Sequence, residues 1–116
     1  MVTLEELLED WKPKIDLGNG HWFAFCGWHP DRELNPQYAH LADVEKYGGI
    51  HIHPRPDGNG YCEGSITFDT EAAREISKSH PRWTVHSFDP LTLSPSLLCR
   101  ACGSHGFIRN GKWEGC

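Results

Sequence analysis

Cys99 and Cys102 stand two residues apart and Gly103 follows them, which is the form of a metal-binding knuckle. Two thiolates at this spacing grip one tetrahedral ion at about 2.3 Å, and the glycine lets backbone amides turn toward the sulfurs. The feature constrains the fold because the rest of the chain offers little core. Leu, Ile, Val and Phe together supply 24 of 116 residues, while Trp adds five large burial units. A small domain with so few aliphatic residues often needs a staple. Five Cys and eight His supply one. An odd number of cysteines cannot all pair within one chain, so ligation is expected here rather than oxidation.

The knuckle needs a second half-site. Cys26-Gly27-Trp28-His29 closes an aromatic run at Trp22–Cys26 and would complete a split site joining distant parts of the chain. His105, three residues beyond Cys102, competes for the same ion. Cys26, His29, Cys99, Cys102 and His105 are therefore the five candidate ligands for one structural zinc. Cys62 reads as a small core residue, and Cys116 as a frayed terminus.

His51 and His53 lie on one face of a strand, since side chains alternate with period two. They are either exposed histidines, with Ile50 and Ile52 facing the core, or ligands of a second site that Cys62 or Glu63 could complete. In that second form His51, His53 and Glu63 would make an open zinc site able to activate water, with Glu63, Asp57 or His105 as base. Ser94-Pro95-Ser96 lacks the flanking glycines of a nucleophile elbow and reads as a strand-entry turn.

The expected architecture is α+β. One domain spans 1–116, with short antiparallel strands, two or three helices and a zinc-ribbon-like core stapled by metal. Leu4, Leu7, Leu8 and Trp11 repeat at helical intervals behind a Thr3–Glu6 capping box, which predicts an amphipathic helix over 1–16. Asn35-Pro36 starts a second helix that Gly48 ends, and Asp69-Thr70 starts a third over Glu71–Lys78. Strands are predicted at Ile50–His53, Tyr61–Phe68 and Arg82–Ser87, with a broken one at Leu91–Leu98. Within 99–116 the knuckle leads into a hairpin turned by Asn110-Gly111.

Net charge is −5, which gives no general attraction to nucleic acid. Only Arg100, Arg109 and Lys112, with Trp113, form a basic patch suited to an accessory role there. The first ten residues are acidic where a secretory leader carries bases, and no run reaches the ~18 apolar residues of a membrane span. The expectation is a cytoplasmic protein, in a reducing compartment.

The segment Thr92-Leu-Ser-Pro-Ser-Leu-Leu-Cys-Arg-Ala-Cys-Gly-Ser-His-Gly-Phe-Ile-Arg-Asn-Gly-Lys-Trp113 resembles the close of a family of small uncharacterised proteins from bacteriophages and prophages, particularly of actinobacteria. Gly49–Gly58, Gly64–Asp69 and Pro81–Val85 are similar to actinophage members as well. Family members often have Cys-Pro-x-Cys where this chain has Cys26-Gly-Trp-His29. The resemblance implies a phage origin and a zinc-ribbon-like core, and no activity. With the metal read as structural, the expectation is a non-enzymatic module that binds a host or phage protein through Trp28, Phe107, Arg109 and Trp113, in the Trp28–Pro30 loop and the closing hairpin. The Pro54–Gly60 turn is a further exposed candidate.

Overall fold

The computed structural model describes residues 14–116. Its elements are β1 (Ile15–Gly18), β2 (His21–Trp28), a 3-10 turn (Pro36–Tyr38), β3 (Val44–Pro54), β4 (Tyr61–Thr67), α1 (Glu71–Ile76), β5 (Thr84–Phe88), β6 (Leu91–Ser94), β7 (Leu97–Leu98), β8 (His105–Arg109) and β9 (Lys112–Gly115). All strand pairs are antiparallel. They form a four-stranded sheet in the order β1-β2-β3-β4, a hairpin of β5 and β6, and a three-stranded sheet β7-β8-β9. No helix among the described residues is long and apolar enough to cross a membrane.

Phe23, Phe68, Leu91, Leu93, Leu97, Ile108 and Trp113 fill one cluster between the sheets, with Leu17 and Ile66. These are alternate positions of their strands, so one face of each strand supplies the core. The three rings of Phe23, Phe25 and Phe68 meet at centroid distances of 5.4 to 6.1 Å. Each such aromatic pair adds roughly 1 kcal/mol beyond the area it buries.

Among the described residues the helices are fewer than the sequence predicts. The one over Glu71–Lys78 forms as α1, capped where the Ala73 N–H donates to the Thr70 hydroxyl at 3.1 Å. The one over Asn35–Gly48 does not form. Only the single turn at Pro36–Tyr38 is helical, because Val44 onward pairs with β2: Trp28 opposes Val44, Cys26 opposes Gly48, and Phe25 opposes Gly49. Gly48 and Gly49 are therefore strand residues, not a helix cap. A Cβ at Gly48 would strike the Ile66 carbonyl oxygen, and one at Gly49 the Phe23 ring. The helix predicted over 1–16 falls mostly outside the described residues.

The strand predictions fare better. The hairpin at Asn110-Gly111 forms as β8–β9, with Arg109 opposite Lys112 and positive φ at both turn residues, as a primed turn requires. The broken strand at Leu91–Leu98 is interrupted by a cis Ser94–Pro95 peptide and resumes as β7.

Candidate active site and metal centre

The Pro54–Gly60 turn is closed by Arg55 N–H donating to the Gly60 carbonyl at 2.9 Å. That closure sets the register of β3 on β4 and brings His53 directly opposite Cys62. The knuckle is the turn of the β7–β8 hairpin: Cys99 N–H donates to the Ser104 carbonyl at 2.8 Å, and Gly103 N–H to the Cys99 carbonyl at 2.7 Å. Gly103 has φ +83°, a conformation that favours glycine. The two halves meet. Ligating atoms of His53, Cys62, Cys99 and Cys102 all lie within 4.8 Å of one another.

The group has the dimensions of a tetrahedral metal site. Cys62 Sγ lies 3.6 Å from Cys99 Sγ, and Cys102 Sγ lies 3.3 Å from His53 Nε2. Bonds of about 2.3 Å to sulfur at the tetrahedral angle imply edges of roughly 3.7 Å. His53 is fully buried, and its Nδ1–H donates to the His51 carbonyl at 3.2 Å. That bond fixes the tautomer and leaves the Nε2 lone pair facing the thiols, as metal-bound histidines are commonly held. Burial raises the Cys62 thiol to about 11, aided by Cys99 and Cys102. At Cys99 burial also raises the thiol, but the Cys102 amide, the Cys102 and Cys62 thiols and the Ala101 amide together outweigh it and hold it below its usual value. A cation among the sulfurs reverses the cost of ionising them. Three thiolates and one imidazole fit zinc, and they can hold one metal ion.

Of the five ligands read from the sequence, Cys99 and Cys102 belong to this group. Cys26 lies elsewhere in β2, with its thiol pushed up by burial. His29 is exposed and contacts Asp43 and Glu45 at 3.3 and 3.4 Å. His105 turns to a serine, described below. The other half is His53 with Cys62, which the sequence reads first as a core residue and otherwise as completing a second site with His51 and His53. The open site of His51, His53 and Glu63 is not assembled: Glu63 opposes Ile52 on the other face of the sheet. His51 pairs with His21, Nε2 to Nδ1, at 2.9 Å.

His51 and His53 are buried rather than exposed, as is His21: Trp113 covers His21 and His51, and His53 lies against His51 at 4.4 Å. The Trp113 ring stacks on His21 at 4.2 Å and on His51 at 4.8 Å. Trp113 is thus a core residue, unavailable as the partner contact its place in an exposed hairpin suggested. Phe107 is half-buried beneath the Arg109 guanidinium, and Trp28 lies against Tyr38 and Tyr47.

Burial and the neighbouring His53 lower His21 to about 4; burial, His53 and His21 lower His51 to about 2. Both are neutral in the fold, whereas their unfolded counterparts take up protons below about 6.5. The stability they contribute is present above that value and is lost as pH falls toward 4. His21→Gln, which keeps a polar partner for His51, removes one of these titrations. Between pH 7 and 5 the wild type is expected to lose about 2 kcal/mol more than this variant in urea unfolding. Parallel losses would refute the assignment.

Ser96 and His105 form a second constellation. Antiparallel pairing sets Leu98 opposite His105 and Leu97 opposite Gly106, so Ser96 lies diagonally across from His105. Leu97 and Gly106 point into the core, while Ser96 and His105 share the outer face. There Ser96 Oγ and His105 Nε2 are 2.9 Å apart, which is hydrogen-bond reach for a nucleophile and its base. Cys116 N–H holds the His105 carbonyl at 3.0 Å, and Trp83 Nε1–H donates to the Ser96 carbonyl at 3.3 Å. The serine read as a turn residue is paired with the histidine read as a ligand. A further pair, His86 Nε2 and Ser94 Oγ at 2.7 Å, sits on the β5–β6 hairpin.

Residues 32–116 match the model of a family described as the bacterial ubiquitination-like system serine protease, BubE. The chain belongs to that family. No curated protein and no solved structure matches it. The BubE description names a bacterial system and carries no phage attribution. The matched span includes the four metal-site residues and both serine–histidine pairs.

Proposed function

We propose that this chain is a serine peptidase domain with Ser96 as nucleophile and His105 as its base. The hairpin that carries them is held by one structural zinc at His53, Cys62, Cys99 and Cys102. The observation that carries the reading is the 2.9 Å contact of Ser96 Oγ with His105 Nε2, on a hairpin whose turn is the metal knuckle. Bound zinc supplies no step of the reaction. It closes the turn between nucleophile and base, and a closed set rich in cysteine suits a structural role.

The chemistry follows from the pair. His105 Nε2 accepts the Ser96 hydroxyl proton as Oγ bonds to the substrate carbonyl carbon. The same nitrogen returns that proton to the leaving amine as the old acyl bond breaks. Water, deprotonated by His105, then releases the acyl group and restores the serine. The family description supports a polypeptide of a ubiquitination-like system as the substrate class. The resemblance to prophage-encoded proteins supports a bacterial cytoplasm as the setting, with a host or defence protein as the partner.

The His86–Ser94 contact favours a second reading in which Ser94 is the nucleophile. Ser96 is preferred because it stands outside the strand ladder and its carbonyl is fixed by Trp83. A fluorophosphonate probe followed by peptide mapping tests both. The adduct is expected on Ser96, and to be lost in His105→Ala. An adduct on Ser94 would move the site to the β5–β6 hairpin, and no adduct would remove the peptidase reading.

A further inference from the structure

Trp83 lies where two spaces meet. With Ser65, Thr67, Ser77, His80 and Pro81 it lines a groove of about 420 Å³. With Ser65 it also lines a cavity of about 70 Å³ that reaches His51 and His53 and, on the segment that follows Ser96, Leu97, Leu98 and Cys99. Its main chain is tied to the end of β4: Trp83 N–H donates to the Thr67 carbonyl at 2.9 Å, and Asp69 N–H to the Trp83 carbonyl at 2.8 Å. The Cys99–Ser104 bond fixes which residues of the β7 segment face β8, and by alternation the Ser96 carbonyl points the other way. The Trp83 indole N–H meets it there.

We infer that this groove is the polypeptide-binding cleft of the Ser96 site, and that Trp83 is the positioning residue joining cleft to nucleophile. The inference rests on the peptidase reading above and adds where the substrate chain lies. Three hydroxyl residues and an imidazole line the groove, which suits the N–H and C=O groups of an extended main chain more than a large apolar side chain. Recognition is then tolerant of sequence, and a plain alanine peptide is an adequate probe. Trp83 has two separable tasks: its ring walls the cleft, and its N–H holds the Ser96 carbonyl so that Oγ stays in line with His105.

Two measurements separate this inference from the one it rests on. In the Ser96→Ala chain, titration with tetra-alanine is expected to shift the Trp83 indole and the Thr67 and Ser77 amide signals in nitrogen–proton NMR spectra. Unmoved signals overturn the cleft. In Trp83→Phe the wall remains and the N–H is gone. Loss of one hydrogen bond to the nucleophile's carbonyl is expected to lower kcat on a tetra-alanine p-nitrophenyl ester about tenfold. KM should move less than about twofold. An unchanged kcat, or a loss confined to KM, overturns the positioning role. A wild-type chain without Ser96-dependent hydrolysis overturns the dyad instead, and the titration still decides the cleft.

Discussion

Removal of the metal is expected to cost this protein its cooperative fold. One zinc per chain should be found by elemental analysis, and a strong chelator should lower Tm by more than about 10 °C. Structural zinc in small domains contributes about 10–16 kcal/mol of apparent binding energy, against a whole-domain stability of about 5–15 kcal/mol. The staple matters here because of what it joins. His53 and Cys62 belong to the four-stranded sheet, and Cys99 and Cys102 to the turn that joins β7 to β8 in the three-stranded one. Without the ion, three thiols and a buried imidazole are left facing one another within 4.8 Å with no cation between them. Substitutions identify the ligands: Cys62→Ser should lose the metal, whereas Cys26→Ser should keep it and melt within a few degrees of wild type. The reverse pattern would restore the split site read from the sequence. Retention of metal and fold in Cys99→Ser would remove the site altogether.

The difference between those two ligand sets shows what the sequence made legible. Cys99 and Cys102 are a local signal, since spacing alone puts both thiols on one side of a tight turn. The other half depends on a strand register. With the turn closed between Arg55 and Gly60, Pro54 meets Tyr61 and His53 meets Cys62. One residue of slip would have set His53 against Glu63 or Tyr61, on the other face. The same logic hid the Ser96–His105 pair. Ser96 and His105 are nine positions apart and become neighbours only because the knuckle between them is a hairpin turn. Gly48 read as the end of a helix that does not form; what requires a glycine there is the close approach of the Ile66 carbonyl from β4, which is tertiary and leaves no local signal. The Asn110-Gly111 hairpin and the Thr70 cap were legible because their causes lie within four residues.

Ser96→Ala and His105→Ala are each expected to lower kcat/KM on a peptidyl ester by about a thousandfold or more. The double variant should be no worse than either single one. A nucleophile and its base act as a unit, so removing the second partner after the first has nothing left to remove. Ser94→Ala should stay within about twofold of wild type, because its hydroxyl serves His86 on the neighbouring hairpin. Both substitutions at the dyad, one just before β7 and one on β8, are on the outer face, away from the buried side carried by Leu97, Gly106 and Ile108. The metal content and Tm of these variants should therefore match wild type. A fall in activity accompanied by loss of zinc would mean that the hairpin itself had come apart. Intact zinc and Tm with activity gone would assign the loss to the chemistry of the pair. Intact zinc with full activity in Ser96→Ala would transfer the nucleophile's role away from this hairpin, and Ser94 with His86 is then the pair that the same assay decides.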